Sequence, residues 1–243
     1  MPGQNLTPAE TLLPLIGAPN APTLIDVCID EDFALDPRLI PGAFRHPFAG
    51  IEGLAPALKS EEVIVICQKG LKLSQGAAAL LRAHGVRAAA LKGGMVEWAR
   101  WNLPAIPATA LPSNRIATAA RPTDDNLAAL WLIKRFAVPD AHILFVEADA
   151  RDAVADRFEA TPLSGYRKTL TDLAIATPAL NRLSDVMKGN APETAGLNAA
   201  LTGLRALYPD DLSYVTAAMP LFDALHRAFL DANDAIATDG AAA

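Results

Sequence analysis

The stretch at residues 62–67, Glu-Val-Ile-Val-Ile-Cys, constrains the fold more than any other feature of the sequence. After Glu62 it is an uncharged, β-branched run, which is typical of a strand that is buried on both faces. Residues 23–27 and 87–92 are also predicted to be strands, and patterns typical of helices occupy residues 74–85 and 93–101. Apolar strands that alternate with helices predict an α/β fold, in which helices flank a parallel sheet.

Prolines divide the chain after the last of these helices. Four of them fall close together, at Pro104, Pro107, Pro112 and Pro122. Each proline removes a backbone donor and restricts the residue before it, so this stretch cannot form one continuous helix. We therefore predict a first domain at residues 1–107, a proline-rich linker at 108–123 and a second domain at 124–243.

The second domain is predicted to be mostly α-helical. One helix begins after Thr123 or Asp124, either of which is a suitable N-cap. A strand follows at residues 142–149. Five further patterns are typical of helices, and they occupy residues 149–158, 170–177, 178–189, 195–208 and 211–234.

Charge and cysteine content argue against several kinds of partner. The 243 residues carry a formal net charge of −6, which gives no basic footprint for nucleic acid. No apolar run approaches the roughly 20 residues that a membrane helix needs, and the chain starts without the basic region of a signal peptide. Two cysteines do not make a disulfide framework, so we expect a soluble, cytoplasmic protein.

The sequence contains no pattern for a metal site. Its four histidines are scattered, and it has neither a CxxC nor an HExxH motif. We therefore expect no metal and no cofactor.

Cys67 stands where the central strand is predicted to end and a turn begins. In a parallel sheet, catalytic groups collect beyond the carboxyl ends of the strands. Gly70 permits a turn with positive φ, in which consecutive N–H groups attract an anion or a thiolate. Lys69 and Lys72 add positive charge, and Ser74 is placed to cap the next helix or to bond the sulfur. The alternative is a buried cysteine that merely ends a strand.

Four elements resemble the rhodanese-like sulfurtransferase family, in the right order, from about residue 22 to residue 107. They are LIDV at 24–27, IPGA at 40–43, CQKGLKLS at 67–74 and LKGGMVEWARWNLPAIP at 91–107. The resemblance implies that Cys67 is the catalytic residue and carries sulfane sulfur as a persulfide. It also implies a small sulfur donor, such as thiosulfate or a persulfide, and an acceptor that the sequence does not identify. The implied anion-binding loop consists of Gln68, Lys69, Gly70, Leu71, Lys72, Leu73 and Ser74.

This loop departs from the family's pattern at three positions. Arginine is common where this chain has Gln68 and Lys72, and serine or threonine is common where it has Leu73. Lys72 keeps the charge but lacks the guanidinium fork that suits the oxygens of thiosulfate. The departures weaken the case for thiosulfate more than the case for persulfide chemistry.

Three residues near the ends of the first two predicted strands are auxiliary candidates: Asp26, Cys28 and Arg45. Cys28 is expected at the same edge of the sheet as Cys67. There it is either a resolving thiol or a packed cysteine, and packing is the favoured interpretation. Arg45, with its neighbour His46, either lines the mouth of the site or lies at the surface.

From residue 124 onward, the chain resembles the C-terminal domain of bacterial chromate-resistance proteins. The matching residues near its start are Asp125, Trp131, Leu132, Ile133, Arg135, Phe136 and Pro139. The family's cysteine, its following proline and its arginine fall on Ala129, Leu130 and Asn126 here. A few polar residues are candidates for an anion pocket, although a capped helix with a solvated basic end is favoured; they are Asp125, Lys134, Arg135 and residues 166–168.

Three functions follow from these features. The first is a sulfurtransferase with a Cys67 persulfide, linked to chromate or oxyanion stress. The second is a non-catalytic sensor or binding protein, whose loop holds a tetrahedral oxyanion. The third is a thiol-dependent chromate reductase in which Cys28 resolves an oxidised Cys67. We rank the sulfurtransferase first.

Overall fold

The computed structural model describes residues 5–240, with side chains up to residue 231. The ends of the two predicted domains, residues 1–4 and 241–243, lie outside the described residues. Contacts between residues divide the chain into two units, Met1–Thr109 and Ala110–Ala243. Among the described helices, none combines the length and apolar composition that crossing a membrane requires.

The first unit contains a five-stranded parallel sheet. In chain order, the strands of the whole unit are β1 (Leu6–Thr7), β2 (Thr23–Asp26), β3 (Arg38–Leu39), β4 (Ala43–Arg45), β5 (Glu62–Ile66), β6 (Arg87–Leu91) and β7 (Ile106–Pro107). The sheet has the order β1-β6-β5-β2-β4, and β3 and β7 form a separate antiparallel pair. The helices are α1 (Ala9–Leu12), α2 (Asp30–Leu35), α3 (Ala55–Leu58), α4 (Lys72–Ala83) and α5 (Gly94–Arg100). This architecture confirms the α/β prediction.

The central strands are buried on both faces, as their composition predicts. Val63 and Val65 lie on one face of β5 and pack in a cluster with Ala78 and Leu81 of α4. Trp98 of α5 is also fully buried, and its indole Nε1 donates to the Pro104 carbonyl over 2.8 Å. Burial on both faces fixes the register of the strands, and therefore the position of every residue at the sheet's carboxyl edge.

The second unit combines a small parallel sheet with many helices, which confirms a mostly helical domain. Its strands are β8 (Arg115–Ala119), β9 (His142–Val146) and β10 (Thr161–Pro162), in the order β10-β8-β9. Its helices are α6 (Asp124–Leu132), α7 (Arg151–Arg157), α8 (Tyr166–Asp172), α9 (Pro178–Met187), α10 (Thr194–Leu207) and α11 (Asp211–Gly240). A π-helical turn at Ile133–Ala137 continues α6.

Two elements of the second unit differ from the sequence-based expectation. The middle strand β8 lies within the proline-rich stretch, between Pro112 and Pro122, where its five residues contain no proline. The helix expected at residues 170–177 instead occupies Tyr166–Asp172. It ends there because Ala174 adopts a positive φ of 55°, which does not continue a right-handed helix.

The N-terminus of α6 is fixed by a capping box. The Thr123 hydroxyl accepts from the Asn126 amide, and the Asn126 side chain accepts from the Thr123 amide. Two orphan donors are thereby satisfied, so Thr123, rather than Asp124, is the cap.

His226 of α11 is buried among aromatic rings. Its ring centroid lies 5.4 Å from the centroids of Trp131 and of Phe136. Burial lowers the pKa of His226 to about 4, and the nearby Asp223 carboxylate only partly opposes this effect. The imidazole is therefore neutral in the folded protein at neutral pH.

We expect His226 to make the protein less stable in mild acid. The unfolded chain protonates this imidazole below about pH 6.5 whereas the folded chain does so near 4, so stability rises with pH between these values. Lowering the pH from about 7 to about 5 should remove about 2 kcal/mol of unfolding free energy through this group. Urea unfolding at both pH values, followed by helical circular dichroism, measures the change.

His226→Phe is the test variant, and His84→Gln is the control. His84 is an exposed histidine whose Nε2 lies 2.9 Å from a Glu52 carboxylate oxygen. His226→Phe should lose this part of the pH dependence, whatever its effect on absolute stability. An unchanged pH dependence in His226→Phe would contradict the assignment.

Candidate functional site

Cys67 lies at the carboxyl edge of the parallel sheet. It directly follows β5, and the neighbouring strand β2 is held to the same end by a bond from the Val27 amide to the Ile66 carbonyl over 2.8 Å. Only 4% of Cys67 is exposed. The residues that follow β2, β4 and β6 reach the same edge, because all these strands run in parallel.

The start of α5 holds the Cys67 loop, which comprises residues 67–74. The Met95 amide donates to the Cys67 carbonyl over 3.1 Å, and the Val96 amide donates to the Gln68 carbonyl over 2.9 Å. In a trans peptide, the carbonyl and the following N–H point in opposite directions. Since these two carbonyls face α5, the amides of Gln68 and Lys69 face away from it.

Two glycines allow the backbones of the loop and α5 to touch. Gly70 has a φ of +65° and Gly94 a φ of +57°. A Cβ at Gly70 would collide with the Leu91 carbonyl and lie 2.7 Å from the amide nitrogens of Gly93 and Gly94. A Cβ at Gly94 would collide with the Cys67 carbonyl. Neither position therefore accommodates a side chain.

The Cys67 sulfur has one direct polar partner among the described side chains. Its S–H donates to the Ser74 hydroxyl oxygen over 3.1 Å, and that hydroxyl donates in turn to the Leu71 carbonyl over 3.4 Å. Ser74 is fully buried in the first turn of α4. The sequence left open whether Ser74 caps the helix or bonds the sulfur, and in the structure it bonds the sulfur.

The backbone amides of the loop are available to a ligand. Across residues 5–240, no protein acceptor pairs with the N–H groups of residues 68–73. The loop's shape is instead held through its carbonyls, since the Gln75 side-chain amide donates to the Gly70 carbonyl over 2.9 Å. Consecutive unpaired amides at a helix N-terminus form an anion-binding arrangement.

The loop side chains have unequal exposure. Lys69 and Lys72 are exposed, and Leu71 is 56% exposed. Leu73 turns inward and packs against the buried cluster. Cys67 and Ser74 therefore meet in the interior, while the two lysines contribute positive charge from the solvent side.

Asp26 and Cys28 lie beside each other at the end of β2. The Cys28 amide donates to Asp26 Oδ1 over 2.7 Å, and Asp26 Oδ2 has no partner among the described residues. Burial raises the pKa of Asp26, which is 1% exposed. Burial and the Asp26 carboxylate together raise the pKa of the Cys28 thiol.

Arg45 connects β4 to the loop that follows β2. Its Nη2 donates to the Cys28 carbonyl and to Asp30 Oδ1, each over 2.9 Å. Its guanidinium also lies over the Phe33 ring, 4.0 Å from the centroid. Arg45 therefore fixes the backbone of Cys28 at this edge of the sheet.

A cavity of about 340 Å³ lies beyond the ends of β2 and β4. The sequence offered Arg45 and His46 as residues at a pocket mouth, and both line this cavity. Its full extent was not predicted, because its walls come from two separate segments, residues 28–31 and 45–48. Cys28 lines this cavity, whereas Cys67 does not. The polar and aromatic lining residues that matter below are Asp30, Glu31, Arg45, His46 and Phe48.

The structure does not form the anion pocket considered for the second unit. The Lys134 ammonium donates to the carbonyls of Pro139 and Ala141, over 3.0 and 3.1 Å. The Arg135 guanidinium makes a bidentate pair with Asp223, and Asp125 accepts from the Tyr166 amide. These groups satisfy internal partners, so the basic end of α6 is not freely solvated either.

Comparisons with known protein families identify both parts of the chain. The model of the rhodanese-like domain matches residues 8–100, and the model of the ChrB C-terminal domain matches residues 116–229. Both resemblances found in the sequence are thereby confirmed. A search of curated protein sequences found no significant match.

Several solved structures are similar to part of this chain. A rhodanese-related protein from Thermoplasma volcanium is 21% identical, with 42% of this chain and 97% of that chain covered and a TM-score of 0.36. A rhodanese-like domain protein from Staphylococcus aureus is 25% identical, with coverages of 39% and 90% and a TM-score of 0.34. A rhodanese homolog from Thermus thermophilus is 29% identical, with coverages of 37% and 95% and a TM-score of 0.31.

Gly70→Ala should destabilise the first unit by about 3 kcal/mol, because alanine is strained at positive φ and its Cβ meets fixed backbone. Gly76→Ala is the matched control. Gly76 is exposed within α4 with open space around it, so that change should stabilise the helix by up to about 1 kcal/mol. Urea unfolding measures both. Equal effects of the two substitutions would contradict the close backbone approach at Gly70.

Proposed function

Because the chain joins a rhodanese-like domain to a ChrB C-terminal domain, we propose that it is a sulfurtransferase that carries sulfane sulfur as a persulfide on Cys67. The main support is the geometry of the Cys67 loop. A cysteine follows the central strand, a buried hydroxyl lies 3.1 Å from its sulfur, and the amides of residues 68–73 have no acceptor in the described protein.

The loop suits the anions that sulfur transfer involves. The Cys67 thiolate attacks the outer sulfur of a donor, a new S–S bond forms, and the donor's remainder leaves as an anion. The unpaired amides stabilise the thiolate before the step and the persulfide anion after it. The Ser74 hydroxyl can turn its proton toward a sulfur that has lost its own.

The two lysines favour a small anionic donor without selecting thiosulfate strongly. Lys69 and Lys72 are exposed, so their charge attracts anions over a distance and is weakened by salt. A lysine ammonium does not make the bidentate contact with oxygens that an arginine makes. We therefore place persulfides ahead of thiosulfate as the physiological donor.

The ChrB C-terminal domain connects the proposed activity to chromate or oxyanion stress. No group of three or more histidine, cysteine or acidic side chains among the described residues is arranged to hold a metal ion. The proposed chemistry uses the sulfur of Cys67. In this scheme, the second domain links sulfur transfer to the stress response.

The loop also supports a second function, the binding of a tetrahedral oxyanion without catalysis. Chromate, sulfate and thiosulfate are all tetrahedral dianions, so the same unpaired amides suit each of them. A sensor of this kind would bind chromate reversibly and take up no sulfur.

Direct reduction of chromate by Cys67 is the third candidate, and it would consume thiol during each turnover.

Sulfur loading tests the first proposal. After incubation with glutathione persulfide or thiosulfate, the intact protein should gain the mass of sulfur, and digestion should place sulfur on the peptide that contains Cys67. Cys67→Ser should abolish this uptake, since a serine hydroxyl forms no persulfide. Circular dichroism serves to show that the variant is folded.

Two results would decide against sulfur transfer. A folded wild-type protein that never gains sulfur from either donor is not a sulfurtransferase. If that protein instead binds chromate, and Cys67→Ser binds it equally well, the sensor function is the better account.

The loop charge should affect anionic donors selectively. In the double variant Lys69→Gln/Lys72→Gln, we expect the KM for thiosulfate to rise roughly fivefold at low salt, because each exposed charge contributes up to about 1 kcal/mol. The KM for an uncharged organic trisulfide should not change. Lys59→Gln removes an exposed lysine outside the loop and serves as the control. An equal rise for both donors would refute a role for charge.

A further inference from the structure

Cys28 lines the cavity beyond the ends of β2 and β4. It follows β2, the strand next to β5, which the proposed nucleophile Cys67 follows. Cys67 is 4% exposed and is not among the lining residues. Cys28 is 7% exposed and lines the cavity wall. The volume of about 340 Å³ falls at the small end of the range for small-molecule sites. A molecule in this cavity would contact Cys28 and no residue of the Cys67 loop.

The two cysteines follow adjacent strands of the sheet. Asp26 of β2 and Ile66 of β5 form the last pair of these strands, and continuing the register places Val27 opposite Cys67 and Cys28 one residue beyond. Strand spacings of about 4.8 Å across and about 3.3 Å along the chain give a Cα separation of about 6 Å. Both side chains belong to the same buried cluster, and the charge of a Cys67 thiolate helps to raise the pKa of Cys28.

An unsatisfied carboxylate oxygen lies next to Cys28. Asp26 is 1% exposed and its Oδ2 has no partner among the described residues. A buried polar atom without a partner is costly and requires an explanation. Burial raises the pKa of Asp26, so its carboxylate accepts a proton more readily than an exposed one. The Cys28 amide donates to the other oxygen of this carboxylate over 2.7 Å, which holds the carboxylate beside Cys28.

We propose that Cys28 is a second sulfur carrier, which receives the sulfane sulfur from Cys67 and presents it to a small thiol bound in the cavity. This inference rests on the proposed sulfurtransferase function. It differs from the resolving role considered for Cys28 in the sequence, because no disulfide forms and no thiol is oxidised overall.

Each step balances without an external oxidant or reductant. Asp26 takes the Cys28 proton, and the Cys28 sulfur attacks the outer sulfur of the Cys67 persulfide. A new S–S bond forms at Cys28 while the bond to Cys67 breaks, and Cys67 leaves as a thiolate. The acceptor thiolate then attacks the outer sulfur on Cys28, which yields the acceptor's persulfide and returns the electron pair to Cys28. Cys28 takes its proton back from Asp26, so the carboxylate is free for the next cycle.

The cavity lining indicates the class of acceptor. Glu31 supplies a carboxylate, Arg45 and Asp30 supply an ion pair, His46 supplies an imidazole, and Phe48 supplies an apolar surface. A wall with both signs of charge is suited to a small zwitterion. We therefore expect a thiol that carries an ammonium and a carboxylate, for which cysteine is the probe.

Peptide mass spectrometry during single turnover tests the relay. Wild-type protein is loaded with glutathione persulfide, trapped by alkylation at successive times, and digested with trypsin, which places Cys28 and Cys67 on different peptides. The extra sulfur should appear first on Cys67 and then on Cys28. In Cys67→Ser, no sulfur should reach Cys28. In Cys28→Ser, the Cys67 persulfide should accumulate, and transfer to cysteine should slow at least roughly tenfold.

Three results would overturn the relay while leaving the proposed function intact. They are sulfur that stays on Cys67 throughout, wild-type transfer rates in Cys28→Ser, and a Cys28–Cys67 disulfide with release of hydrosulfide. Loading of Cys28 in Cys67→Ser would also overturn it, since the sulfur would then arrive directly. A wild-type protein that takes up no sulfur at all contradicts the proposed function itself.

Asp26→Asn provides a second test that does not remove a thiol. It preserves the shape of the side chain and removes the base, so the appearance of sulfur on Cys28 should slow and its rate should rise more steeply with pH.

Cysteine and mercaptoethanol as acceptors then test the cavity. Charge recognition requires a lower KM for cysteine, and equal KM values would contradict it.

Discussion

The hydrogen bonds from the start of α5 to the Cys67 loop are the constraint on which the site depends. A helix N-terminus has N–H groups without partners inside the helix, and here those of Met95 and Val96 bind the carbonyls of Cys67 and Gln68. Because each peptide is planar and trans, fixing a carbonyl toward α5 turns the next N–H away from it. The same contact that holds the loop therefore leaves its amides free for an anion. Gly70 and Gly94 are required because the two backbones approach too closely for any Cβ.

The sequence predicted the three central strands and the two longest helices of the first unit, because their signals are local. β5 carries its β-branched residues in one continuous run, which is typical of a strand buried on both faces. The second unit was harder. β8 is a short strand with two alanines, between prolines, and only its pairing with β9 and β10 makes it a strand. The shift of α8 has a similar cause, since the Asp125 carboxylate that accepts from the Tyr166 amide lies 41 residues away.

In the candidate site, too, the sequence predicts what consecutive residues form and misses what distant segments form together. The sequence placed Cys67 and its loop correctly at the end of β5, since strand, turn and helix are consecutive. The full extent of the cavity could not be foreseen, because residues 28–31 and 45–48 meet only through the pairing of β2 with β4. The basic residues after Trp131 were candidates for an anion site, although a solvated basic end was favoured. Neither describes Arg135, because its guanidinium pairs with Asp223, which is 88 residues away and only 9% exposed.

Burial of the sulfur imposes opposing requirements on such a site. In the proposed function, the 4% exposure of Cys67 would protect its persulfide from chance reaction with thiols in solution. The same burial would restrict the access of an acceptor to the sulfur, as it does that of a donor. A protein can resolve the conflict by moving the loop or by moving the sulfur. Two backbone hydrogen bonds and two glycine contacts hold this loop in place, whereas the neighbouring Cys28 borders an open cavity. The proposed relay moves the sulfur and leaves the loop in place.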